Sequence, residues 1–171
     1  MAVPQLDELR RPALELLEER SQLTSISEVF ELLAPRFNLT EEDLTEMLPS
    51  GTQRRWHNRV NWACYDLYRA GALDRPVKGK YQINARGGKI LKEGPEVLTR
   101  TYLSQQSDAF AKFLTPQVKS GTESPSPTTK QLIDGTPEEQ IDSAVQELGA
   151  GLRSEVLEAL SQADRGRRQR W

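Results

Sequence analysis

A mainly helical α+β domain with one β-hairpin, laid out as a winged helix, is the fold class this sequence predicts. Three observations predict it. The first is a helical pattern in mid-chain: Trp56, Val60, Ala63, Leu67 and Ala70 recur at steps of four and three, which stacks them on one face. The second is a hairpin pattern directly after it. Gly71 suits a left-handed C-terminal cap, and two extended pieces, Ala72 to Arg75 and Lys80 to Ile83, flank the turn residues Pro76, Val77, Lys78 and Gly79. The third is charge. Residues 1–50 hold four Arg against eleven Asp and Glu, a balance of −7, whereas residues 51–95 hold ten Lys and Arg against three acids, a balance of +7. The whole-chain charge of −2 conceals a basic segment that coincides with the helix and hairpin. A basic helix followed by a basic hairpin suits DNA: the helix for the major groove, the wing for the backbone or minor groove.

The elements before this unit read as three helices. Leu6, Leu9, Ala13, Leu16 and Leu17 fall at helical spacing between Pro4 and Arg20, with Asp7 and Glu8 in the first turn, where the helix dipole favours them. Pro12 inside that pattern predicts a kink, or a true start near Arg11. A second helix runs from Ser25 to Phe37. Ser25 and Glu28 form a capping box, Ile26, Val29, Phe30, Leu33 and Phe37 make the apolar face, and Pro35 predicts an early stop. A third, short helix opens at Thr40 with Asp43, carries Leu44, Met47 and Leu48, and ends at Pro49, Ser50 and Gly51. After the hairpin, a last helix starts near Asn84, weakened by Gly87 and Gly88, with Ile90 and Leu91 as its anchors.

Beyond Pro95 the text changes. Val97, Leu98, Tyr102, Leu103, Phe110, Phe113 and Leu114 surround a polar middle, which suits one helix with a polar waist or two short ones. Residues 115–135 are rich in Ser, Thr, Pro and Gly without an apolar period and read as a linker. Pro137, Glu138 and Glu139 then start another helix, whose stripe is Ile141, Val145, Leu148, Leu152, Val156 and Leu160. Gly149 and Gly151 weaken its middle, and a basic tail closes the chain. The expected plan is a winged helix over 1–95, a helical extension over 96–114, a linker over 115–135, and a connector helix with its tail over 136–171.

The residue inventory argues against catalysis. Apolar residues are 36% and charged residues 28% of the 171, which suits a real core over part of the chain and a solvated remainder. Cys64 is the one cysteine and His57 the one histidine. A zinc site is excluded on that count, and no disulfide can form within the chain. His57 precedes Cys64 by seven residues on the same helix, a poor arrangement for a nucleophile and its base. No phosphate-binding glycine motif and no acid, acid and lysine set of a metal-dependent nuclease is present, so no cofactor or metal is expected. There is no signal-peptide pattern and no apolar run near 18 residues, so the expectation is a soluble cytoplasmic protein.

The positive signal is nucleic acid. Arg and Asn pair bidentately with guanine and adenine edges in the major groove. The central helix offers Arg55, His57, Asn58, Arg59 and Asn61 in its N-terminal half, the half that enters the groove in helix-turn-helix proteins. Lys78 and Lys80 on the hairpin would meet phosphates. Arg54, Arg69 and Arg75 flank this set. Any one arginine is equally well an exposed solubilising charge, and acids of the first helices can neutralise some of them. Trp62 suits either a core aromatic against the wing or a surface aromatic near DNA.

At these residues the chain resembles the N-terminal winged-helix domain of Mrr-type restriction endonucleases, bacterial enzymes that cut modified foreign DNA. The matching text is VPQLDELRRPALELL and RRWHNRVNWACYDLYRAGALDRPVKGKYQINARGGKIL; Ala72 and Leu73 stand where the family has a leucine directly after the glycine. GTPEEQIDSAVQELGAGLRSEVLEAL is similar to the connector that leads into the family's nuclease domain. The resemblance covers about 1–95 and 136–160. It implies a targeting module that reads double-stranded DNA, methylated or otherwise modified, and a family nuclease domain expected near the end of this chain and missing from it. The last helix would then pack on the winged helix itself, on a second copy or on that nuclease domain. The rival expectation is a winged-helix transcription regulator that dimerises through its C-terminal helix. A third is a protein-binding winged helix that uses the apolar stripe.

Overall fold

The computed structural model describes residues 2–115 and 136–168. The contacts divide the chain into one unit ending at Thr136 and a second beginning at Pro137. In the first unit the order is α1 (Leu6–Arg20), β1 (Thr24–Ser25), α2 (Ile26–Leu33), a 3₁₀ turn (Ala34–Phe37), α3 (Glu41–Thr45), α4 (Arg55–Arg69), β2 (Leu73–Val77), β3 (Lys80–Ile83), α5 (Ala85–Glu93), α6 (Arg100–Gln106) and α7 (Asp108–Leu114). The three strands form an antiparallel sheet in the order β1-β3-β2. This is the winged-helix plan, with β2 and β3 as the wing and α4 in the place of the reading helix.

Each helix follows from its local sequence. α1 is continuous through Pro12, where a kink or later start was expected. Leu6 and Leu9 on one side of the proline and Leu14, Leu16 and Leu17 on the other are all buried, and a Gln5–Glu8 capping box holds the first turn. That burial offsets the roughly 3 kcal/mol that an interior proline costs. α2 opens on its Ser25–Glu28 box and ends at Leu33, because Pro35 has no N–H to continue the i to i−4 ladder and the chain goes on as the 3₁₀ turn. α3 is capped reciprocally by Thr40 and Asp43. β1 escaped the sequence reading: two residues paired to Tyr81 and Lys80 leave no periodic signal. Pro76 and Val77 belong to β2 and not to the turn, which is tolerated because β2 is an edge strand. The loop is thereby reduced to Lys78 and Gly79, with Gly79 at φ 79°.

Two features draw the segment after the wing into the core. Gly87 is buried, and a Cβ there would stand 2.3 Å from the carbonyl of Ala72 and 2.7 Å from Ile83. The glycine that reads as a helix weakness is what lets α5 lie against the sheet. The polar waist at 104–109 resolves into two short helices, α6 and α7, and Leu98, Leu103 and Phe110 are fully buried with the rest of the core. The packed interior thus runs on past residue 95.

The second unit is α8 (Pro137–Arg168). Ile141, Val145, Leu148, Leu152, Val156 and Leu157 are 56–68% exposed along it. Leu160 and the residues of the expected linker, 116–135, lie outside the described side chains and residues, as does the end of the basic tail. Among the described residues no helix is long and apolar enough to cross a membrane.

Candidate nucleic-acid interface

The apolar face of α4 is anchored at its start by Trp56, which is buried and donates its indole N–H to the carbonyl of Phe30 at 3.2 Å. That bond sets the rotation of the helix. Opposite the buried face, Arg54, His57 and Asn61 fall at i, i+3 and i+7 and form one outward stripe, with Arg54 and Asn61 exposed and His57 half-buried. Neither Arg54 nor Asn61 has a side-chain partner among the described residues. His57 lies flat on Phe30 of α2, ring centroids 4.2 Å apart and planes 6° from parallel. Burial, and then the neighbouring Arg54, lower its pKa below the ordinary imidazole value, so the ring is neutral at pH 7.

The wing is tied to the same region. The amide of Ile26 at the start of α2 donates to the carbonyl of Gly79 at 2.8 Å, and Ser25 pairs with Lys80. Phe30 lies four residues along α2 from Ile26, an axial rise of about 6 Å. α2 therefore holds the wing tip at one end and the stacked His57 about one turn further on. Lys78 and Lys80 are exposed at that tip and carry no ion-pair partner among the described residues. Lys78 and Lys80 thus flank the start of α2, Arg54 and His57 line a groove with Phe30 of α2, and Asn61 lies about one turn of α4 beyond His57.

The other four expected contact residues go elsewhere. Asn58 is 1% exposed and Arg59 8% exposed, so neither presents its side chain to the surface. The Arg59 guanidinium donates to the carbonyls of Val3 at 2.7 Å and Pro4 at 2.9 Å, pinning the segment ahead of α1. Asn58 accepts from the hydroxyl of Thr136, itself fully buried. Arg55 turns back to Glu46. Arg69 sits about 22 Å along the helix axis from Arg54. Its guanidinium lies 4.6 Å from the ring of Phe113 in α7. Trp62 packs against the core and meets Tyr65 edge-on at 5.5 Å, and Tyr65 meets Phe113 at 6.0 Å. It belongs to this aromatic seam and not to the outward stripe.

Sequence reasoning missed two things. One is Arg10, fully buried on the apolar side of α1. It donates to Asp66 of α4 from Nε at 3.1 Å and Nη2 at 2.8 Å, and to the carbonyl of Leu98 at 2.9 Å; Arg100 adds a third donor to Asp66 at 3.0 Å. The other is an open groove of about 860 Å³ between α2, the 3₁₀ turn, α3 and the start of α4, lined among others by Ser27, Phe30, Glu31 and Leu44 together with Arg54 and His57. Phe30 reads in the sequence as ordinary core, and no local pattern announces that its ring face stacks on His57 of the outward stripe. Cys64 is fully buried, which pushes its thiol up to about 12, so it is no nucleophile at neutral pH. Among the described residues no group of three or more His, Cys, Asp or Glu is placed to hold a metal ion.

A three-stranded sheet with a β2–β3 wing, an outward basic stripe on the central helix and lysines at the wing tip define a winged-helix domain with a candidate nucleic-acid face. The Mrr N-terminal domain matches residues 7–93, from α1 to the end of α5, and the chain belongs to that family. It is similar to the type IV methyl-directed restriction enzyme EcoKMrr of Escherichia coli (strain K12), 27% identical over 171 residues that cover 98% of this chain and 56% of that enzyme. The chain thus spans about half the length of that relative. No solved structure matches it.

Proposed function

We propose that this chain is the DNA-targeting module of a modification-dependent restriction system, reading duplex DNA with the outward stripe of α4 and the tip of the wing. What supports this reading is that Arg54, His57 and Asn61 share one outward stripe of α4 and that Lys78 and Lys80 stand exposed at a wing tip tied to α2, in a chain of the Mrr N-terminal domain family. Asn61 is the residue for a base edge, and Arg54 the candidate for a guanine or a phosphate. Lys78 and Lys80 meet the backbone. On this reading the chain supplies recognition and not cleavage, and the base modification follows from the relative's description as methyl-directed.

Duplex binding across a salt series tests it. With about four phosphate contacts, log affinity should fall with log salt at a slope of about −3 to −4, and Lys78→Ala or Lys80→Ala should each reduce that slope by about 1. Affinity that ignores salt overturns the proposal.

A second reading is favoured by one observation, the exposed apolar stripe of α8. A transcription regulator would use it to pair two copies and so present two reading helices to two half-sites. Chain mass by light scattering, with Leu148→Glu and Leu152→Glu as controls, separates them. A monomer at high concentration removes self-pairing, whereas a dimer dissolved by those substitutions supports it.

A further inference from the structure

We infer that Asn58 is a further DNA-reading residue of α4 held in reserve, and that the Thr136 hydroxyl is the autoinhibitory contact that withholds it until duplex arrives. The inference rests on the DNA-reading face proposed above and names a contact that regulates it.

Position is the first argument. Arg54, Asn58, Asn61 and Tyr65 stand at i, i+4, i+7 and i+11, which stacks them along one side of α4. At 3.6 residues per turn, Asn58 lies about 40° round the axis from Arg54 and about 60° from Asn61. The apolar face of Trp56, Val60, Ala63 and Leu67 lies on the opposite side. On Asn58's side Arg54 and Asn61 are exposed and Trp62 and Tyr65 half-buried, yet Asn58 is 1% exposed. Its neighbours on the helix therefore do not explain its burial. The group it meets is Thr136, 78 positions later, whose hydroxyl donates to Asn58 Oδ1. Thr136 is the last residue of the first compact unit, so what lies against Asn58 is an end of that unit and not one of its packed helices.

Chemistry is the second. The asparagine amide pairs bidentately with adenine, its oxygen accepting from the N6 amino group and its nitrogen donating to N7. The oxygen that would meet the amino group is the atom that Thr136 holds. Thr136 and a base therefore compete for one acceptor. The exchange is close to even: Asn58 trades a hydroxyl donor for an amine donor, and the released Thr136 hydroxyl bonds to water. A contact this nearly balanced is one that a ligand can open. Arg59, the next residue, makes the contrast, because its two bonds go to the carbonyls of Val3 and Pro4 and hold the chain ahead of α1.

The energetic consequence is a lowered affinity. Duplex that needs Asn58 binds only the open form, so its apparent affinity is reduced by the fraction of chains that are open.

The test uses the full chain with two duplexes, one of A·T pairs and one of G·C pairs. Thr136→Ala removes the donor and should bind the A·T duplex about two- to tenfold tighter than the wild type, the range that one side-chain hydrogen bond supports, with a smaller gain on the G·C duplex. Adding Asn58→Ala to Thr136→Ala should take that gain away. Thr136→Cys reads the contact directly, because Cys64 is buried and its thiol stays protonated. The new thiol should react with a thiol reagent about twofold faster or more once the A·T duplex is bound. No tightening in Thr136→Ala, a gain that survives in the double variant, or an equal gain on both duplexes overturns the inference while the DNA-reading function stands. Labelling of Thr136→Cys that duplex leaves unchanged or slows does the same. Thermal unfolding shows whether Thr136→Ala is folded, and the more conservative Thr136→Cys decides alone where it is not. Absence of binding by the wild type and Thr136→Ala alike removes both the inference and the reading beneath it.

Discussion

Replacing Asp66 with alanine should cost this domain a large share of its stability, and the structure says how much. Asp66 sits on the inner side of α4 with no exposed surface, and its Oδ2 accepts from Arg10 Nε, Arg10 Nη2 and Arg100 Nε. Arg10 is equally buried, and without the carboxylate it keeps the Leu98 carbonyl and the ion pair to Asp7. A buried cation that loses its main counter-ion costs about 3–5 kcal/mol. The stability of a domain is about 5–15 kcal/mol, so Asp66→Ala should move the urea midpoint far down or leave the chain unfolded. Trp56 and Trp62 report the transition by fluorescence. Arg100 is 15% exposed and can partly rehydrate, so Arg100→Ala should cost less, about 1.5–3 kcal/mol. The double replacement Arg10→Met with Asp66→Leu should recover much of the single-variant loss, because neither charge is then orphaned. If Asp66→Ala unfolds within about 1 kcal/mol of the wild type, the argument that this ion pair locks α1 to α4 is refuted.

Three further outcomes are expected. Arg59→Ala should lower stability by about 1–3 kcal/mol and speed amide exchange over residues 3–6, because the carbonyls of Val3 and Pro4 lose their donor; the salt slope of DNA binding should stay as it was, and a reduced slope would return Arg59 to the DNA contacts. Gly87→Ala should destabilise by about 1–3 kcal/mol or more, since its methyl group meets the Ala72 carbonyl and Ile83, whereas Gly79→Ala at an open turn meets no atom and should suffer only the strain of its positive φ. The Cys64 thiol ionises near 9 when unfolded and near 12 when folded, so the unfolded chain releases its proton first as pH rises. Stability should hold below pH 9 and then fall, with Cys64 contributing up to about 1.4 kcal/mol per pH unit toward pH 12; Cys64→Ala removes that part and leaves the part due to Tyr81, whose hydroxyl burial also pushes up. Thiol reagents at pH 8 should label the folded chain far more slowly than the unfolded one.

Local signals carried most of the elements. The Ser25–Glu28 and Thr40–Asp43 boxes marked the starts of α2 and α3, and the Trp56 to Ala70 spacing placed α4 within a residue or two of its bounds. These are legible because a helix cap or an apolar stripe is written within a few residues of the backbone it governs. Of the expected contact residues, Arg54, Asn61, Lys78 and Lys80 keep exposed side chains, whereas Asn58 and Arg59 are buried. The apolar stripe of α4 spans one face, whereas the helix is packed by α1, α2 and α7 together with the segment at Val3 and Pro4. The buried arc is therefore wider than the apolar residues announce, and it takes in Asn58, Arg59 and Asp66, each with a polar partner distant in sequence.

By itself, then, the sequence determined the order of helices and wing and the charge reversal between residues 1–50 and 51–95, because propensity, capping and net charge are local or additive properties. Tertiary structure alone decided which polar side chains of α4 face outward, that Gly87 permits a close approach and is no mere weakness, and that Phe30 and Glu31 share a groove with Arg54 and His57. Each of those depends on what arrives from more than ten residues away: Ala72 beneath Gly87, α2 beside His57, Val3 over Arg59. A side chain's role is set by the partner that desolvates it, and that partner is known only once the chain has closed on itself.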